Sequence, residues 1–268
     1  MKKIYSIIIT SIICLLLLPL FIFWLPVSFF ETIFPSKLNS GSFISDLVVS
    51  FKGLSITLLV TMCFSTILSL IIGYISVYSV TFGRILKNIL NSFESIPAIL
   101  IALFCYAPVS GILAREGHNT SVVLSFSVFV IAATVTVLPE AVRSISIPLS
   151  DLYDRKYSIS FRSYGFSKNK ILLMLLNTQI MRNNISQVIA NILLKTLVLD
   201  TSFGYIIQVG LGVTGTPQHT SPGALIAANR GALLFGGNLN PANFWIPTIL
   251  LMSVSLGFVL MLRRTVEN

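Results

Sequence analysis

An all-α, polytopic membrane protein with about six transmembrane helices is the fold class that the sequence predicts, on three observations. The 268 residues are 54% hydrophobic and only 10% charged, with a mean hydropathy of +0.89, whereas a soluble domain carries about a quarter charged residues. Apolar runs of about 20 residues recur along the chain, the length that crosses roughly 30 Å of hydrocarbon. The cations gather on one side of those runs, as the positive-inside rule requires of a membrane protein.

Taken in order, the apolar runs are 7–29, 56–78, 90–109, 122–138 and 244–262. A sixth, 185–213, is interrupted by Lys195, Asp200 and several glycines; a span that tolerates such residues faces other helices rather than lipid. The first run follows Met1-Lys2-Lys3, as a secretory signal would. Its apolar length of about 23 residues exceeds the 7 to 15 of a signal core, and Phe29-Phe30-Glu31 offers no small-residue cleavage site, so it is read as a retained helix.

With a cytoplasmic N terminus, the inner side holds Lys2, Lys3, Arg84, Lys87, Arg143, Arg155, Lys156, Arg162, Lys168, Lys170, Arg182, Arg263 and Arg264. The outer side holds Lys37, Lys52, Arg115 and Arg230. That asymmetry predicts that both termini are cytoplasmic, and it assigns the net charge of +9 to topology rather than to nucleic acid binding. Cys14, Cys63 and Cys105 all fall within apolar runs, at no metal-ligand or redox spacing, and read as small hydrophobes.

The outer connections, 30–51 and 214–243, are long. The first contains a turn-rich stretch from Pro35 to Gly41, and the second contains Pro222 followed by Gly223-Ala224-Leu225-Ile226, which predicts a short surface helix. No repeat or soluble linker divides the chain. The domain reading is an N-terminal helix and outer loop over 1–49, then one transmembrane domain over 50–264.

The inner loop, 140–184, is the most distinctive part. It predicts a helix end around 143–147, a short helix over 152–164, a break at Gly165 and a restart capped by Ser167. Charge by itself would make this a solvated basic loop against lipid head groups. Phe161, Tyr164 and Phe166 give the short helix aromatic knobs, and the arrangement of the whole half favours a protein contact over that loop.

Several motifs of this half resemble those of one family. Arg162 and Gly165 stand where that family has the Arg and Gly of a cytoplasmic loop, with Ile159-Ser160-Phe161 in place of its Glu-Ala-Ala. Asp200-Thr201-Ser202 resembles its Glu-Ala-Ser, and Gly210-Leu211-Gly212-Val213 its Gly-Leu-Gly-Val. Ser221-Pro222-Gly223-Ala224-Leu225, with Arg230 downstream, resembles its Ser-Trp-Gly-Ala stretch, and Ser95-Ile96-Pro97 matches a Ser-Ile-Pro. The family is that of the permease subunits of binding-protein-dependent ABC importers, in the dipeptide, oligopeptide and nickel group, and the likeness covers residues 50–264.

The resemblance implies a type I ABC permease fold in a bacterial inner membrane. It implies a second, homologous permease, two cytosolic ATPases and an extracytoplasmic solute-binding protein as partners, and import of a peptide or similar small solute. Tyr157, Phe161, Arg162, Tyr164, Gly165 and Phe166 would form the ATPase-coupling element. The chain has no Gly-x-x-x-x-Gly-Lys-Ser/Thr loop, so no cofactor is expected on it; ATP and Mg belong to the partner subunits. Neither a catalytic residue nor a metal ligand set is predicted, and His118 and His219 read as isolated surface histidines.

Glu94, Lys195 and Asp200 lie at or within spans, where ionisable side chains take pathway or pairing roles. With Ser95, Pro97 and Ser202 they are the candidates for the translocation path or the subunit interface, Glu94 being either there or at the cytoplasmic surface. Lys195 and Asp200, five apart, are poorly placed to pair with one another. Pro97, Pro139 and Pro247 are expected to end or kink helices, and Gly73, Gly210 and Gly212 to allow close packing. Two other classes compete with the permease: a secondary transporter, which calls for paired repeats and broken helices, and a structural membrane subunit that binds no ATPase.

Overall fold

The computed structural model describes residues 2–33, 43–105, 118–210, 221–233 and 240–267. Expectations for Pro35 to Gly41, Arg115, residues 211–213 and His219 lie outside the described residues. Among those described, helices carry the whole architecture: α1 (Lys2–Ile22), α2 (Val27–Ile33), α3 (Phe43–Tyr78), α4 (Val80–Glu94), α5 (Ala98–Cys105), α6 (His118–Tyr153), α7 (Lys156–Ser163), α8 (Lys168–Leu176), α9 (Gln179–Gly210), α10 (Pro222–Ala228) and α11 (Ala242–Glu267). Helices α3, α6, α9 and α11 are each long and apolar enough to cross a membrane, and α4 with α5 makes a bent pair that qualifies together. The chain is an all-α membrane protein.

Several boundaries differ from the sequence reading, for local physical reasons. The first run breaks after Ile22 and restarts past Pro26, which cannot donate a backbone bond but suits a helix start. The expected outer loop 30–51 is mostly helix, because α3 begins at Phe43 and runs straight across residues 49 and 50. Its first turns are held by a buried cluster of Phe23, Phe30, Phe43, Leu47 and Phe51, with Phe23 and Phe51 rings 5.0 Å apart. Pro139 and Pro148 end nothing: α6 carries both and continues past the expected end at 143–147 to Tyr153. Pro247 likewise lies inside α11. Pro97 behaves as expected, since the chain turns by 93° between α4 and α5. Cys14 and Cys63 face outward from the bundle rather than being buried.

Small residues set the closest approaches. Thr57, Thr61, Ser65, Ser69 and Gly73 recur at every fourth position of α3 and are all buried, a stripe of the kind that lets membrane helices approach closely. At its end, a Cβ on Gly73 would lie 2.9 Å from a methyl of Ile145 on α6, the helix against which α3 packs most extensively. The second close approach joins α9 to α10. Ser221 caps α10 by accepting from the Ala224 N–H at 3.3 Å, Pro222 occupies the first turn, and Gly223 lies against the α9 backbone. A Cβ there would be 1.9 Å from the Thr201 carbonyl oxygen.

Gly223→Ala is therefore expected to destabilise the protein by about 1–3 kcal/mol, the usual range for forced overpacking, because neither backbone can yield. A melting curve in detergent checks this, with Gly165→Ala as comparison; that position has open space but φ +80 and should lose about 1–2 kcal/mol through strain alone.

Candidate functional site

Two ends of the bundle can be told apart by their side chains. At one, the Trp24 indole N–H donates to Ser55 Oγ at 2.9 Å and the Lys52 amine sits 5.6 Å over the Trp24 ring. At the other, α3, α6, α7 and α8 meet in a cluster of tyrosines and cations. The Lys168 amine donates to the Tyr78 carbonyl at 2.8 Å and lies over the Tyr78 and Tyr153 rings at 5.7 and 5.3 Å. The Tyr74 hydroxyl bonds Asn169. Aromatic and basic residues in such bands are what membrane–water interfaces select.

The short helix of the inner loop sits at this basic end. It spans Lys156–Ser163, shorter than the expected 152–164, because α6 occupies the first positions. Its end is a complete Schellman motif. The Phe166 N–H donates to the Phe161 carbonyl at 3.2 Å and the Gly165 N–H to the Arg162 carbonyl at 3.0 Å, with Gly165 in the left-handed region at φ +80. The hydrophobic contact that accompanies this motif is Phe161 edge-on to Phe166, centroids 5.6 Å apart. Gly165 is needed for the turn, and Phe166 packs inward against the core under α6 and α8.

Arg162 also turns inward. Its guanidinium lies 4.0 Å over the Tyr153 ring, donates to the Tyr153 carbonyl, and approaches Asp154 at 3.6 Å. Fully buried Ser158 donates to the Leu152 carbonyl at 3.1 Å. These bonds clamp α7 to the end of α6. Ser167 occupies the cap position of α8 as expected, though its hydroxyl makes no cap bond. Left facing out are Tyr157, Ile159, Phe161 and, at 80% exposure, Tyr164. Of the six expected coupling residues, three present apolar surface outward and three build the clamp.

The second group of candidates divides between two ion pairs on α6. Glu94, at the end of α4, meets Arg143 at 2.7 Å, and Arg143 also donates to Asn91 at 2.7 Å. Lys195 on α9 pairs with Glu140, which accepts from Asn191 as well. Glu140 was not singled out in the sequence, although its three-residue spacing from Arg143 places opposite charges on adjoining faces of one helix. Asp200 is 1% exposed, and the partner of Lys195 is Glu140. All four paired side chains remain 34–47% exposed in the single chain.

Ser95 caps the end of α4, its hydroxyl donating to the Ser92 carbonyl at 2.7 Å, and Pro97 precedes α5. Ser202 lies elsewhere, in an open groove of about 910 Å³ between α9 and α11 that Ile99 of α5 also lines. Val198, Tyr205, Met252 and Leu256 supply its apolar walls. Thus Ser202 and the α5 segment share one groove, while Glu94 and Lys195 share the α6 ion pairs. Among the described residues no three metal-ligating side chains converge.

The arrangement defines an all-helical, membrane-embedded protein with a clamped, outward-facing aromatic helix at one end and paired charges within its spans. No protein-family model matches the sequence, and no curated protein matches it.

If each ion pair holds its helices, Lys195→Met should destabilise more than the double variant Glu140→Gln/Lys195→Met, since the single change strands a carboxylate. A double-mutant cycle on detergent melting is expected to return a coupling of about 0.5–3 kcal/mol.

Proposed function

We propose that this chain is the permease subunit of a binding-protein-dependent ABC importer, a type I permease of six spans in a bacterial inner membrane. The spans are α1, α3, α6, α9, α11 and the apolar run that contains α5, with both termini and α7 on the cytoplasmic side. A second, homologous permease completes the path, and two ATPases bind the ATP and Mg. An extracytoplasmic protein delivers a peptide or similar small solute.

The observation that carries this reading is the geometry of α7. Transport of this kind needs a stiff element that receives a push from a soluble subunit and passes it to long membrane helices. Helix α7 is clamped at both ends, through Ser158 and Arg162 to α6 and through the Gly165 turn to α8. It shows Tyr157, Ile159 and Tyr164 to the outside. Exposed aromatics on a rigid element are the anchors that dominate protein interfaces. Arg162 holds α7 to Tyr153.

Purification of the tagged chain in mild detergent should recover a second permease and a protein with a nucleotide-binding loop. Tyr157→Ala/Tyr164→Ala should insert normally yet bind that ATPase about 30-fold or more weakly, the effect of losing an anchor worth at least about 2 kcal/mol. Recovery of the chain alone across gentle conditions would reject the importer and favour a structural membrane subunit.

A further inference from the structure

We infer that α4 is not the first half of a membrane span but an interfacial helix, lying in the head-group layer at the basic end and binding anionic lipid. This rests on the placement of α4 alone and is independent of the importer reading.

Length and position come first. Helix α4 has 15 residues, about 22 Å at 1.5 Å per residue, too short to cross about 30 Å of hydrocarbon. It begins just after Tyr78, and Lys52, beside Trp24, marks the opposite edge on the same helix α3. The intervening stretch of α3 is about 39 Å long, so Tyr78 falls beyond the hydrocarbon, among the head groups. There α3 ends at Ser79, which caps α4 by accepting from the Phe82 N–H at 3.5 Å. Gly83 then lets α4 fold tightly against α3, since a Cβ would sit 2.3 Å from the Ser76 carbonyl oxygen. At its far end the chain bends by 93° into α5.

The faces of α4 fit that position. Among the described helices it is the most sharply two-sided. At about 100° per residue, Phe82, Ile85, Ile89 and Phe93 fall within an arc of about 80°, and all four are 40–55% exposed. Thr81, Arg84, Asn88 and Ser92 fall within a second such arc, also exposed. The remaining side meets the protein, through Gly83 against α3 and through Asn91 and Glu94 against Arg143 of α6. A helix fixed sideways to the bundle, apolar on one free face and polar on the other, matches a membrane surface rather than its interior.

Charge decides what lies there. Arg84 is exposed on the polar face, whereas the one acid of α4, Glu94, is held by Arg143. Lys168 and Lys170 stand nearby at the same basic end. An exposed cation on the polar face, with these lysines beside it in the head-group layer, selects anionic lipids, at about 1 kcal/mol per cation.

The full-length chain, with Trp24→Phe, Trp245→Phe and a single reporter Ile89→Trp, would be reconstituted in phosphatidylcholine bilayers containing phosphatidylglycerol. Acyl chains brominated near the head group (carbons 6,7) should quench the reporter at least twofold more than those brominated deeper (carbons 11,12). A reporter at Asn88→Trp should be spared. Brominated phosphatidylglycerol, as a minor component, should quench at least twofold more than the same fraction of brominated phosphatidylcholine. That preference should vanish in Arg84→Gln and shrink at 0.5 M salt. Stronger quenching from carbons 11,12 would make α4 part of a span, and no quenching at 89 or at a second reporter, Phe82→Trp, would mean protein or water covers the face. Either result overturns the inference, as does equal quenching by the two lipids.

Discussion

Charge inside a span must be paired from another helix, and in this protein α6 meets that constraint for its neighbours. Glu140 holds Lys195 and Asn191 of α9, and Arg143, less than a turn further, holds Glu94 and Asn91 of α4. On another face, Ile145 receives Gly73 of α3, and Leu149 and Leu152 join the core with α8 residues Ile171, Leu172 and Leu175. One helix thereby orders four others. Removing Glu140 would leave the Lys195 cation unpaired within a span, a state that membrane segments avoid.

The length of α6 connects that hub to the basic end. It runs as one helix through Pro139 and Pro148 to Tyr153, so the ion pairs and the basic end belong to the same element. Helix α7 is fastened to that end by the fully buried Ser158 and by Arg162 stacked on Tyr153. The same residues that make α7 rigid leave Tyr164 outside. Rigidity and display are thus products of one set of hydrogen bonds.

Much of the site was legible in the sequence. Gly165 marked the turn, Ser221-Pro222 marked the start of α10, and the aromatic content of 157–166 marked an unusual loop. Less legible was what each side chain packs on: the edge contact of Phe161 with Phe166 and the stacking of Arg162 on Tyr153 depend on how the Schellman turn folds, which residue type does not reveal. Glu140 escaped notice because its partners lie 51 and 55 residues away. Of the every-fourth-residue run from Thr57 to Gly73, only Gly73 was read as a close-packing position; the four hydroxyl residues before it became a stripe only once α3 showed them all buried.

By itself the sequence determined that this is an all-helical membrane protein, where its long apolar stretches lie and which of them carry polar residues, because burial in hydrocarbon acts on local composition. The tertiary structure decided which helix ends were real, as at Tyr153 rather than 143–147, since neighbours stabilise a helix through an internal proline that local propensity would end. It also decided which charges meet and which aromatics stay exposed. Those depend on distances between segments far apart in the chain, and no local pattern encodes them.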